Sequence, residues 1–137
     1  MKTAGYSGKS LTDKLGIKEN SKLLILGAPE YYPALIDPLP FGATVKTVKS
    51  GTFDIVHLFV SEKKVLTKEF PTLPTLLDRA IPGSAVWISW PKKSSGVATD
   101  LNENLIREIG LKTGMVDVKV CAIDETWSGL KFLFRKN

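Results

Sequence analysis

The chain predicts an open α/β fold: a mostly parallel six-stranded sheet, helices on both of its faces, and an antiparallel pair at the end. Three observations predict it. The runs KLLILGAP and FDIVHLFV are continuously apolar, as strands buried on both faces require. Helical patterns separate the runs, which implies right-handed parallel crossovers. The last two runs, VDVKVCAID and GLKFLFRK, are divided only by Glu125-Thr126-Trp127-Ser128. That is too short for a crossover helix, so the final pair must be antiparallel.

Residues 1–22 read as a polar arm carrying one short helix. Ser10 and Asp13 form its start, Leu11 and Leu15 share a helical face, and Gly16 is its stop. The text GYSGKS matches the end of a phosphate loop. Its required first glycine would fall at Thr3 with no strand before it, so the match is accidental. Residues 23–137 then form a single domain. Lys22–Pro29 is the first strand, followed by a short helical turn over Pro33–Ile36 that Pro38 and Pro40 end. Ala43–Lys49 alternates between Gly42 and Gly51 and predicts a half-buried outer strand. Phe53–Val60 is a central strand. Glu62–Ala80 is helical but broken near Pro71 and Pro74. Ser84–Trp90 is the next strand. Asp100, with Glu103 three residues on, predicts the cap of a helix over Asn102–Thr113 that Gly114 closes. Val116–Asp124 and Gly129–Lys136 are the closing pair.

At 137 residues the chain has room for one hydrophobic core. No apolar run approaches the roughly 18 residues that span a bilayer. The start, MKTAGYSGKS, lacks the apolar centre of a secretory signal, so a cytoplasmic protein without a membrane partner is expected. The single cysteine, Cys121, excludes an internal disulfide and a cysteine-rich zinc site. With one histidine, His57, there is no paired-histidine metal site, and no metal is predicted. The net charge is +5, yet only Arg79, Arg107 and Arg135 are arginines. The forked donor suited to bases and phosphates is therefore scarce, and nucleic acid is not the expected partner.

A doubly wound sheet ending in helix, strand and antiparallel strand resembles the class I methyltransferases that use S-adenosylmethionine. Shortened by one strand–helix unit, their connectivity implies a Rossmann-like three-layer sandwich with strand order 2-1-3-4-6-5 over residues 22–136. The chain departs from two of that family's motifs. The loop after the first strand, Gly27-Ala28-Pro29-Glu30-Tyr31-Tyr32-Pro33, has one glycine and two prolines in place of a glycine-rich turn. Lys46 and Lys49 stand where the family has an acidic residue. No cofactor is predicted. The wording of FDIVHLFV, VWISWPKKSSGVATD and VDVKVCAIDETWSGLKF also resembles a family of short bacterial proteins of unknown function, which brings no activity and no catalytic residue with it.

With that strand order, several loops share the carboxyl-end rim of the sheet, where open α/β folds bind ligands. The candidate ligand-binding residues there are Gly27, Glu30, Tyr31, Lys92, Lys93, Ser94, Ser95, Asp124, Glu125 and Trp127. Lys92 and Lys93, in a loop leading to a helix start, favour an anion. Tyr31 and Trp127 offer apolar walls, and Asp124 and Glu125 either hold the hairpin turn or pair with the lysines. His57 and Cys121 read as core residues. Trp87 and Trp90, an odd number apart, face opposite sides of their strand. The leading expectation is a small-anion or nucleotide-like ligand-binding module. The alternatives are a divergent transferase using S-adenosylmethionine or a nucleotide, and an interaction scaffold whose N-terminal arm, with Tyr6, Leu11, Leu15 and Ile17, docks on another chain to give an oligomer.

Overall fold

Strands buried on both faces need helices on both sides, and the chain supplies them. The computed structural model describes residues 10–136. Six strands, β1 (Lys22–Leu26), β2 (Thr44–Lys46), β3 (Ile55–Phe59), β4 (Ala85–Pro91), β5 (Met115–Ala122) and β6 (Trp127–Phe134), form one sheet in the expected order β2-β1-β3-β4-β6-β5. The first four are parallel, and β6 runs antiparallel to β4 and β5. On one face Leu24, Val56, Leu58, Ile88 and Phe132 pack against α3 (Lys63–Glu69) and α4 (Glu103–Leu111) through Leu66 and Ile106. On the other, Leu23, Ile25, Ile55, Phe59 and Trp87 meet α1 (Leu11–Leu15) and α2 (Tyr32–Leu35). Trp87 and Trp90 do fall on opposite faces.

The helix in the N-terminal segment is present. Ser10 accepts the Asp13 N–H at 3.1 Å, and Gly16 ends the helix with φ +81°. Leu11, Leu15 and Ile17 are all buried in the chain's own core, and the Trp87 indole donates to the Leu15 carbonyl at 3.2 Å. Among the described residues the segment therefore exposes no apolar stripe. Tyr6 and the GYSGK text lie outside them.

Four local expectations need correction. The second strand is only three residues and wholly exposed, because it lies at the sheet edge. The helix after β3 stops at Glu69, and Pro71 and Pro74 turn the chain into two 3₁₀ turns, Phe70–Thr72 and Pro74–Leu76. The turn between the last two strands begins earlier, so β6 starts at Trp127. Finally, Asp100 does not cap α4. Asn102 does so, accepting the Leu105 N–H at 2.9 Å. The Asp100 carboxylate instead accepts the Lys63 N–H at 2.7 Å, and Thr99 donates to the Ser61 carbonyl at 2.6 Å. The loop thus caps the neighbouring α3, whose own Glu62 provides no side-chain cap.

Gly110 tests how tightly α4 sits on the sheet. A Cβ there would overlap the ring of Phe132, which is fully buried and held edge-on by Phe70 at 5.1 Å. Alanine would gain about 1 kcal/mol of helix propensity. Overpacking against an immobile ring costs more, about 1–3 kcal/mol, and α4 must shift besides. Gly110→Ala is therefore expected to lower stability in urea denaturation. An unchanged or raised midpoint would contradict this packing.

Candidate functional site

The β1 strand ends at Leu26, and the φ of +69° at Gly27 then turns the chain across the end of the sheet. A Cβ on Gly27 would lie 2.6 Å from the Phe59 carbonyl oxygen. The glycine thus lets the loop after β1 close on the end of β3, at the point where the strand order reverses. Beneath this closure the crevice is filled. Phe59 stacks on His57 with centroids 4.3 Å apart, Tyr32 meets Phe59 edge-on at 5.2 Å, and Trp127 does so at 5.1 Å from the other side.

His57 is fully buried at the centre of this group. Its Nδ1 lies 3.1 Å from the Tyr32 hydroxyl and its Nε2 lies 2.6 Å from the Ser89 hydroxyl. A neutral imidazole has one donor and one acceptor nitrogen, so one hydroxyl donates to the ring and the other accepts from it. Burial lowers the imidazole pKa to about 3 and pushes the Tyr32 phenol far up. His57 is thus the expected core residue, fully buried and held by two bonds. Tyr32 and Ser89 were not singled out in the sequence. The available signal was one serine and one histidine in adjacent, otherwise apolar strands, since buried polar groups seek each other.

Above the filled crevice the loops form a rim. The Asp124 carboxylate accepts the N–H groups of Thr126 and Trp127, both at 2.8 Å, and so holds the hairpin turn. Tyr31 lies beside it, and the phenol pKa is raised by partial burial and then by Asp124. The Lys92 N–H donates to the Thr126 carbonyl at 2.8 Å, which fixes the basic loop against the hairpin. Ser95 turns inward: its hydroxyl donates to the Lys92 carbonyl at 2.6 Å and accepts the Val97 N–H at 3.1 Å. Lys93, Ser94, Glu125 and Glu30 are exposed. Among the described residues, neither the Lys92 nor the Lys93 ammonium has an ion-pair or hydrogen-bond partner.

Tyr31, Asp124, Trp127 and the Lys92 loop are therefore contiguous. Gly27 and Glu30 belong to a neighbouring cleft of about 350 Å³ between the β1 loop and β2, floored by Ile25 and Leu26 and walled by Val45 and Thr47. The start of α4 is separated from the basic loop by residues 96–102, and Glu103 already occupies its first turn. Cys121 is half-buried, and its thiol pKa is raised by burial despite nearby Lys119, Lys14 and Lys131, which disfavours a thiolate. No cluster of three metal-ligating side chains occurs among the described residues, and none of their helices is long and apolar enough to cross a membrane.

The fold is that of known methyltransferases. The chain is similar to a SAM-dependent methyltransferase from Aquifex aeolicus, with a TM-score of 0.65, 12% identity, and coverage of 91% of this chain and 88% of that one. It is also similar to magnesium protoporphyrin IX methyltransferase from Synechocystis PCC 6803 with bound SAH, with a TM-score of 0.58, 12% identity, and coverage of 91% and 78%. Aeropyrum pernix fibrillarin, in complex with S-adenosyl-L-methionine, matches with a TM-score of 0.53, 13% identity, and coverage of 87% and 69%. No protein-family model and no curated protein sequence matches the chain. The resemblance to a bacterial family of unknown function therefore rests on its segments alone.

The residues present do not fit S-adenosylmethionine. The β1 loop lies on the Phe59 carbonyl, Pro29 offers no N–H, and among the described residues Glu30 is the one charged residue lining the adjoining cleft. From the β2 side Val45 and Thr47 line it, so no carboxylate there accepts a ribose diol.

The buried imidazole has a measurable consequence. The native state keeps His57 neutral down to a pKa of about 3, while the unfolded chain takes up this proton near the ordinary 6.5. Stability should therefore fall as pH drops from 6.5, by about 1.4 kcal/mol per pH unit from this group. Urea denaturation between pH 7.5 and 5, above most carboxylate titrations, checks it. A flat profile would contradict the buried neutral ring.

Proposed function

We propose that this protein is a binding module for a small anionic or nucleotide-like ligand, received at the rim formed by the Lys92–Ser95 loop, Tyr31 and the Asp124–Trp127 turn. The observation that carries the reading is the Lys92 N–H bond to the Thr126 carbonyl, which sets two unpartnered ammoniums beside an aromatic wall. A phosphate or carboxylate group would pair with Lys92 and Lys93, and the exposed Ser94 hydroxyl would donate to it. Tyr31, nearly half exposed at 46%, offers a ring face to a base or other flat group. Glu125 and Glu30 would accept from hydroxyl or amino groups of the same ligand. Among the described residues no side chain at the rim pairs a nucleophile with a base, and His57 is buried below it, so the reading is of recognition and assigns no catalytic residue.

The fold likeness favours a second reading, transfer from S-adenosylmethionine. It is opposed by the filled crevice and the lack of fit described above, and one fold commonly hosts unrelated functions.

Thermal-shift measurements with nucleotides, sugar phosphates and acidic metabolites test the first reading. A ligand at a hundred times its Kd should add about 2.7 kcal/mol of stability. The Lys92→Ala/Lys93→Ala variant should lose most of that gain while melting normally alone. Equal stabilisation of the variant, or no stabilisation by any anion, would overturn the reading.

A further inference from the structure

At the opposite end of the sheet, two of the three arginines line one groove. It has a volume of about 500 Å³, and its wall includes Arg79, Arg135, Thr75, Thr113, Gly114 and Phe134 and, among the described residues, no carboxylate. The third arginine, Arg107, is spent: its Nε donates to Asp117 at 2.8 Å, and the rest of its fork is held by Glu103 and Asn104. The contrast is informative. Arg107 sits in a neutralised network, whereas the groove gathers two guanidiniums without a counter-charge.

Both groove arginines are held in place with donors to spare. The Arg79 guanidinium lies over the Phe134 ring, 4.0 Å from its centroid, and makes no hydrogen bond or ion pair among the described residues. The neighbouring carboxylate of Asp78 accepts the Ala80 N–H at 3.0 Å and forms no ion pair with Arg79. Arg135 donates one Nη2 bond to the Leu111 carbonyl at 3.1 Å, anchoring its side chain at the end of α4. The remaining N–H groups of both forks are unused. Stacking on an aromatic ring satisfies the face of a guanidinium but leaves its edge, where the donors lie. Thr75 and Thr113 hydroxyls donate to the Thr72 and Gly110 carbonyls, so among the described side chains lining the groove the free donors are those of the arginines.

We propose that this groove is a second anion site, separate from the carboxyl-end rim, that takes the phosphate group of a small molecule. A carboxylate offers two oxygens in one plane. A phosphate presents three oxygens in different directions, and two forks on separate elements, the segment before β4 and the end of β6, suit it better. The inference does not depend on the function proposed for the Lys92 loop, since the two sites lie at opposite ends of the strands.

Titration of the full chain with inorganic pyrophosphate, followed by amide NMR, tests it. The Thr113, Gly114 and Arg135 amides should shift and saturate together. Arg79→Gln/Arg135→Gln should weaken this response by roughly tenfold or more, the worth of charge-assisted hydrogen bonds. Arg79→Lys keeps the charge and the cover over Phe134, and should weaken it several-fold, which preserves the test if the double variant folds poorly. Lys92→Ala/Lys93→Ala should leave the response intact. Absent or non-saturating shifts at Gly114, shifts unchanged by both arginine variants, or loss of the response on removal of Lys92 and Lys93 would each overturn the site.

Discussion

The arrangement of the whole carboxyl end depends on one buried histidine. An imidazole in the middle of an apolar sheet must be neutral and must have both nitrogens satisfied, since each buried polar group left unpaired costs about 1–3 kcal/mol. Ser89 on the adjacent strand satisfies one nitrogen and Tyr32 on α2 the other. The second bond ties a four-residue helix, too short to be stable by itself, to the sheet. Once Tyr32 is fixed, the loop preceding it must cross the end of β3. Only a residue without a side chain can pass there, and Gly27 does. Tyr31, next in line, then reaches Asp124 on the hairpin. The requirement to pair His57 thus leads step by step to a closed crevice and to the rim above it.

That closure separates the fold's history of uses from this chain's own surface. In open α/β sheets the switch between the first strand and its parallel neighbours commonly adjoins the ligand. Here the same position holds Phe59, Tyr32 and Trp127 packed edge to face. At identities of 12–13% the likeness speaks to backbone arrangement only. The ligand sites proposed for this chain lie instead in loops: lysines beside the hairpin, and guanidinium edges at the other end of the strands, both unpartnered among the described residues.

The strand order and the antiparallel finish were legible because they follow from local signals: continuous apolar runs, proline and glycine stops, and a turn too short for a crossover. The Lys92 loop and the Asp124 turn were also placed on one rim, since topology alone assigns loops to an end of the sheet. Other features were not legible because they are pairings across distant sequence. Asp100 carries the local signature of a helix cap, yet tertiary contact gives its carboxylate to Lys63, 37 residues earlier. Tyr32 looks like one of two interchangeable tyrosines. Only the direction of α2 decides that Tyr32 points to His57 and Tyr31 to Asp124. The two-arginine groove was invisible for the same reason. Arg79 and Arg135 are far apart in sequence, and neither sits in a motif.

The central claim is that this chain's residues do not fit S-adenosylmethionine: aromatic side chains fill the crevice between β1 and β3, and the open cleft beside Gly27 has no carboxylate from β2 among the described residues. Calorimetric titration of the full chain with S-adenosylmethionine and S-adenosylhomocysteine tests this most directly. The account predicts no saturable heat for either compound up to millimolar concentration. Stoichiometric binding of either one in the micromolar range, lost when Gly27 is replaced by valine in a variant that still folds, would contradict it.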